Sequence, residues 1–483
     1  METPSCFIDF NLSANSPAIE DAVVVILDLI KETGAVKRWH PRHTDHLRVI
    51  ILNLLKAYQM SGDGYISYSR MKGVYARMKA SAMRYLPFPV AYQAMVTLVD
   101  ALHSPELSLV DHNNGFYFPE QGNSKPSRMR ATQKLIDLFA EYGVLQSTVN
   151  RDPSSETIIL KDDEKKLIDY DDTATTILMR DNLKSINDLL AQNFIGLCVA
   201  DKVYDQIVRR IYDIPDSEWD TECLRTMDLT RNRVNRVFNN GSFKQGGRFY
   251  SGWWQSIPKE YRRYIRINNL GTVELDFPGL HINLLYALEE KPLPKEDPYL
   301  VEGLPKEART FLKVALNILI NAESWQKGIK ALRDKFPRHK LPVQIRDFDY
   351  KSIVDLFLAK HPPLEKYFGS GAGVHLQYLD SQIAEKAMLI LAKKGIPALP
   401  MHDSFIVTRR HRQDLEKAMN DAIQDLAGIR LNLKASPTAY EDVYLHGVEE
   451  EVQSIENYES EEWTSRKHCR RYYEAWDKWN EGE

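Results

Sequence analysis

One helix-length segment constrains the fold of this chain more than any other. Residues 309–322 are apolar on most sides, through Phe311, Leu312, Val314, Leu316, Ile318, Leu319 and Ile320. Arg309, Lys313, Asn317 and Asn321 recur at a spacing of four, so on a helix they form a single narrow polar stripe. Such a helix must be buried on most of its surface, which takes a large core around it. The stripe must then face something polar. Two cations followed by two amides suit phosphates beside a sugar, whereas an ordinary amphipathic helix would show a broader polar face.

The composition can supply that core. Apolar residues make up 43% of 483 positions, and the length suggests about three domains at roughly 150 residues each. A disordered chain and a small disulfide scaffold are excluded. The net charge of −4 excludes a histone-like polycation, but local patches decide nucleic-acid binding. Cys6, Cys198, Cys223 and Cys469 form no CxxC pair, so zinc-finger spacing is absent and a reducing cytosol is expected. Residues 23–30, interrupted by Asp28, are too short to span a bilayer. The expectation is a cytoplasmic protein without a membrane partner.

Along the chain, residues 1–150 read as helices followed by a hairpin. Strands are expected at 107–110 and 116–118, around the turn signal Asn113-Asn114-Gly115. Lys125, Arg128, Arg130 and Lys134 follow as a basic flank. Helices, hairpin and basic flank make the pattern of a winged-helix-like DNA-binding domain. The alternative is a small α+β domain with a solvated basic face. Residues 151–240 read as mainly helical and polar. Between 225 and 266, ten Lys and Arg face only Asp228 and Glu260, with Phe238, Phe249, Trp253 and Trp254 among the interleaved aromatics. Cations neutralise phosphates and flat rings stack on bases.

From 271 onward strands and helices alternate. A strand over 273–277 carries Asp276, and a turn at 401–404 carries Asp403 into an apolar strand; a further strand is expected at 431–434. Strand-end aspartates commonly cap turns. Two on neighbouring strands would also suit a hard divalent cation, or a pair of them about 3.5–4 Å apart. The tail after 449, with Trp463, Trp476 and Trp479, suits an amphipathic helix packed on the body or on a partner.

At this point the chain resembles the polymerase core of family A DNA polymerases and the related single-subunit phage-type RNA polymerases. Asp276-Phe-Pro-Gly-Leu-His281 resembles motif A, and Arg309-x3-Lys313-x7-Asn321-Ala322 resembles motif B. His402-Asp403-Ser-Phe resembles motif C, with Ser-Phe closer to the RNA enzymes. Gly247-Arg248-Phe249, Ile257-Pro258 and the stretch from Tyr261 to Arg266 are similar to the segment before motif A. Leu376-Gln377 and Glu385-Lys386-Ala387-Met388 resemble the glutamine-bearing helix before motif C. The resemblance spans residues 240–445.

The resemblance implies an α+β right-hand polymerase: an antiparallel palm sheet, a helical thumb and short fingers, after the winged-helix-like domain. The implied boundaries are 1–150 for that domain, 151–245 for the thumb, 246–300 and 376–448 for the palm, 301–375 for the fingers, and 449–483 for the tail. Asp276 and Asp403 would hold two Mg²⁺ ions, with Mn²⁺ an alternative. Arg309 and Lys313 would bind the incoming triphosphate, with Lys313 a candidate proton donor to pyrophosphate. Asn317, Asn321 and His281 would meet the nucleotide. Arg248, Arg262, Arg263, Gln377 and His402 would meet the nucleic acid.

The departures are specific. Asn321 stands where motif B has tyrosine, Ala322 where it has glycine, and Asn317 where an aromatic stands one turn earlier. His281 stands where the DNA enzymes place a glutamate that excludes ribose; it is bulky enough to gate the sugar and can pair with Asn321. No carboxylate set for a proofreading exonuclease is evident. The expected function is a template-directed nucleotidyltransferase, in first place a DNA-directed DNA polymerase acting on DNA template, primer and deoxynucleoside triphosphates. The alternatives are a DNA-directed RNA polymerase or primase-like enzyme, and a non-catalytic winged-helix DNA-binding protein with a degenerate palm. No protein partner is indicated.

Overall fold

The computed structural model describes residues 5–36, 38–62, 64–118, 123–214, 227–436 and 466–482. The two largest hydrophobic cores divide the chain near residue 150, and a small cluster of Ala82, Tyr85, Ile159, Val237 and Tyr250 joins residues from both sides. The first holds β1 (Ser5–Phe7), β2 (Leu12–Ser13), α1 (Pro17–Glu32), α2 (Pro41–Ser61), β3 (Tyr65–Tyr68), α3 (Lys72–Ser81), α4 (Tyr92–His103), β4 (Val110–Asn113), β5 (Phe116–Phe118), β6 (Asn123–Lys125), β7 (Ser127–Ala131) and α5 (Gln133–Glu141). The sheet runs β1-β3-β7-β4, and α1, α2 and α4 pack around Ile26, Ile50, Leu54 and Leu98. The short β8 (Asn150–Arg151) closes the unit by pairing with β2.

The hairpin differs from its sequence reading. Asn113-Asn114-Gly115 does not close it. β4 pairs with β7, and β5 pairs with β6, so both arms run on past the tripeptide. Gly115 is needed for close approach instead: a Cβ there would lie 2.3 Å from the Lys125 carbonyl oxygen. The two arms pass too closely at that point for any side chain.

The second core holds the rest. Its elements are β9 (Ile158–Leu160), α6 (Ala174–Ala191), β10 (Ile195–Leu197), α7 (Asp201–Asp213), β11 (Asn235–Asn239), β12 (Ser242–Tyr250), β13 (Ile265–Ile267) and β14 (Leu270–Asp276), followed by α8 (Leu280–Leu288), α9 (Ala308–Asn321), α10 (Trp325–Lys335), α11 (Tyr350–Lys360) and α12 (Gly373–Ala392). They end with β15 (Leu399–Met401), β16 (Ser404–Thr408), α13 (Arg412–Ala427) and β17 (Lys434–Ala435). A six-stranded antiparallel sheet runs β10-β13-β14-β16-β15, and β17 pairs with the end of β14. The chain is thus mixed α+β with its largest sheet antiparallel.

Three expectations need correction here. Residues 151–240 are not mainly helical: they contain β9, β10 and β11, each three to five residues long. Strands that short carry too little periodicity to be read without their partners. The division expected at 245 also falls inside one unit, because β10 pairs with β13 in the central sheet and β11 with β12. The strand expected at 431–434 is the two-residue β17.

The tail question resolves toward the body. A final helix, α14 (Arg470–Glu481), packs Tyr472 edge-on against Phe194, with ring centroids 5.6 Å apart. The Tyr472 hydroxyl donates to Asn269 at 3.0 Å, and Cys198 and Cys469 are buried beneath. Trp463 lies outside the described residues. Among the described residues no helix is long and apolar enough to cross a membrane.

Candidate active site

The central sheet brings two acidic side chains together. β14 and β16 pair antiparallel with Asp276 opposite Ser404, so Asp403 sits one residue beyond the end of β16. The backbones are bonded at that point, Phe277 N–H donating to the Asp403 carbonyl at 3.2 Å. His402 and Asp403 form the two-residue turn between β15 and β16. His402 has φ +61°, the left-handed conformation such a turn needs and a non-glycine residue seldom adopts. Its ring packs edge-to-face on Tyr250 with centroids 5.7 Å apart.

The Asp276 carboxyl is pushed up to about 6. Burial is the first cause, and the Asp403 charge acts in the same sense; Lys313 and Lys259 pull it back. Asp276 Oδ1 is buried and has no hydrogen-bond partner among the described residues. Glu274, two residues back on the same face of β14, is already engaged. It accepts from the Ser404 hydroxyl at 2.6 Å and from Arg262 at 3.4 Å.

The helix with the polar stripe is α9. Ala308, Phe311, Leu312, Ala315, Leu316, Leu319 and Ile320 are buried, while Arg309, Lys313, Asn317 and Asn321 are exposed. Lys313 makes no ion pair among the described residues, and its charge reaches Asp276. Arg309 is engaged: its Nε donates to Asp297 at 2.6 Å, beside the Tyr299 ring. Asn321 donates to the Asn317 carbonyl at 2.7 Å.

His281 does not pair with Asn321. It lies in the first turn of α8, its Nε2 3.0 Å from Asp380 on α12. Arg248 on β12 is bound to the same carboxylate, its Nε 3.0 Å from Oδ2, and its Nη2 lies 3.2 Å from His281 Nε2. Burial disfavours the Arg248 charge, but Asp380 outweighs it and holds the guanidinium above its ordinary value, with Asp403 adding in the same sense. Asp380 is itself buried. Arg248, expected at the nucleic acid, is thus partly buried, with its guanidinium bound to Asp380. Asp380 was not singled out from sequence. The available signal was an acid three residues after Gln377, on the helix face that Leu376, Ile383 and Ala384 share. Gln377 is half-buried on that helix, one turn before Asp380.

The basic, aromatic stretch also reads differently in space. Arg236 is fully buried, bonded to Glu385 at 2.8 Å, the Gly247 carbonyl at 3.0 Å and the Ser381 hydroxyl at 3.1 Å. Arg231 is paired with Asp9 and Asp228, and Arg233 with Asp188. Phe238, Phe249, Trp253 and Trp254 are core residues rather than stacking surfaces. Arg262 and Arg263 remain near solvent. With Lys259 and Glu274 they line a cleft of about 320 Å³ along β14.

The donor set fits a hard cation. Both groups are carboxylates, and one oxygen of Asp276 is orphaned. Among the described residues no cluster of three or more His, Cys, Asp or Glu could hold a metal ion. Further ligands would therefore come from bound phosphates and water, the usual arrangement for Mg²⁺. In comparisons by sequence, no protein-family model matches this chain, and no curated protein matches it significantly.

Proposed function

We propose that this protein is a template-directed nucleotidyltransferase, in first place a DNA-directed DNA polymerase without a proofreading exonuclease. One observation carries the reading. Asp276 and Asp403, far apart in sequence, sit at the paired ends of β14 and β16, where one is pushed up to about 6 and the exposed Lys313 of α9 acts on it. A stabilising role alone does not account for two like charges placed together beside a cation. In this reading the central sheet is the palm, and α9 to α11 form short fingers.

The reaction joins a primer 3′-oxygen, whose proton passes to water, to the α-phosphorus of a nucleoside triphosphate and breaks the bond from that phosphorus to the α–β bridging oxygen, and pyrophosphate leaves with the electron pair. Two Mg²⁺ ions, or Mn²⁺ in their place, would supply charge stabilisation at the attacking and leaving oxygens. Asp276 and Asp403 would hold them. Lys313 would neutralise the leaving phosphates and give up a proton to them. Arg309 reaches a phosphate by exchanging its Asp297 partner. Asp380 holds the Arg248 guanidinium and the His281 ring on one carboxylate.

Primer extension tests this. Purified protein with Mg²⁺, primed DNA and either deoxy- or ribonucleoside triphosphates is expected to extend the primer, and Asp276→Ala or Asp403→Ala to abolish extension. Extension only with ribonucleotides and without a primer would assign an RNA polymerase or primase. Absence of extension with both sets on several templates would remove the enzyme reading.

A further inference from the structure

Two arginines reach α12 from β11 and β12, and they differ in how much of each is used. Arg236 is fully buried, and every nitrogen of its guanidinium has a partner. Nε donates to the Gly247 carbonyl at 3.0 Å, Nη1 to Glu385 at 2.8 Å and Nη2 to the Ser381 hydroxyl at 3.1 Å. Such a side chain ties elements together and has no donor left for a ligand. Arg248 is held by one edge only. Its Nε lies 3.0 Å from Asp380 Oδ2, and Nη2 is bonded to the same oxygen. His281 Nε2 stands 3.2 Å from Nη2 on that side. Nη1 has no hydrogen-bond partner among the described residues, and the side chain keeps 18% of its surface exposed.

Asp380 is 2% exposed, and among the described residues its carboxylate bonds only Arg248 and His281. A buried ion pair is weak evidence for stability, because desolvation offsets its attraction. What this pair secures is direction. A carboxylate on the Nε–Nη2 edge fixes the plane of the guanidinium, and the N–H directions of Nη1 are then fixed as well. A lysine ammonium on its flexible stem would have no such direction.

The surroundings of Arg248 follow from β12. Side chains two apart on a strand share a face, so Arg248 lies on the face of Tyr250, whose ring packs on His402, the residue before Asp403. The Asp403 charge acts on Arg248. In a polymerase the group beside that turn is the primer end. A single fixed donor there suits purine N3 or pyrimidine O2, minor-groove acceptors that carry little sequence information.

We propose that Asp380 is a positioning residue: it aligns the Arg248 guanidinium so that Nη1 donates to the minor-groove acceptor of the last primer base. The proposal deepens the nucleotidyltransferase reading and rests on it.

The test is single-nucleotide extension by the full chain with Mg²⁺, on two primers that differ only in the last base, adenine or 3-deazaadenine. The second lacks the N3 acceptor and keeps its pairing edge. The wild type is expected to extend the 3-deazaadenine primer about 10- to 100-fold more slowly, as for the loss of one hydrogen bond to a charged donor. Asp380→Asn should slow the adenine primer by a similar factor and bring the two primers to about equal rates. Asp380→Glu, which keeps the charge and shifts the carboxylate, should do the same, and it carries the test if the Asn variant does not fold. A smaller folded fraction slows both primers alike, so the ratio between them does not respond to stability. A wild-type ratio retained in either variant would leave Asp380 a structural role only and overturn the proposal. Equal wild-type rates on the two primers would overturn it and leave the polymerase reading standing, whereas no extension of either primer would remove both.

Discussion

Replacing Asp276 by Asn should make the protein more stable at high pH while destroying its chemistry. The carboxyl is held near 6 by burial and by Asp403, against an ordinary value of 3.8. Between those values the folded state keeps a proton that the unfolded chain releases. The contribution to stability is therefore fully present below about 3.8 and is lost as pH rises through about 6. At about 1.36 kcal/mol for each tenfold change in proton affinity, the ionised group costs the fold about 3 kcal/mol. Because the side chain is only partly buried, solvent screening reduces this to about 1–2 kcal/mol. Asn has the same shape and never ionises. Urea unfolding, followed by the fluorescence of the buried Trp253 and Trp254, should show Asp276→Asn about 1–2 kcal/mol more stable at about pH 8. The gain should vanish near pH 4. Mg²⁺ should raise the wild-type midpoint at the higher pH and leave that of the variant in place, since only the wild type has the ligand pair. Equal midpoints at about pH 8, or a gain that persists undiminished at about pH 4, would refute the argument.

Three further outcomes follow from the same geometry. Lys313→Ala removes a cation that pulls Asp276 down, so the carboxyl should titrate higher still by carbon NMR, and nucleotidyl transfer should fall about 100-fold. Asp380→Ala leaves the largely buried Arg248 without its carboxylate and should cost about 3–5 kcal/mol in urea unfolding, whereas a loss below about 1 kcal/mol would mean the pair is unimportant. Gly247→Ala should destabilise by about 1–3 kcal/mol or more, because φ is +83° and the new Cβ would lie 2.7 Å from the Phe238 ring and 2.8 Å from the Ser381 hydroxyl.

The contrast between α9 and the residues around Asp380 shows how much of the site was legible in sequence. The stripe of Arg309, Lys313, Asn317 and Asn321 was readable because helical period is local, and the exposed and buried faces of α9 follow it. The ends of β14 and β16 were readable for a similar reason: Asp276 closes one short strand and Asp403 immediately precedes the other. The hairpin was misread because the strongest turn signal, Asn113-Asn114-Gly115, marks a close backbone crossing, which looks the same in one dimension. In the basic segment, charge alone does not say whether an arginine meets solvent. Arg236 and Arg248 find Glu385 and Asp380 on α12 instead.

What the sequence by itself determined were the local periods: which faces are apolar, which helix carries cations, and where aspartates interrupt strands. Only the tertiary structure decided the partners. Whether His281 meets Asn321 or Asp380, and whether Asp276 titrates near its ordinary value or near 6, depends on how α8, α12, β14 and β16 pack. The physical reason is range: hydrogen bonds and desolvation act over a few ångströms, and residues far apart along the chain come within that distance only when the core closes.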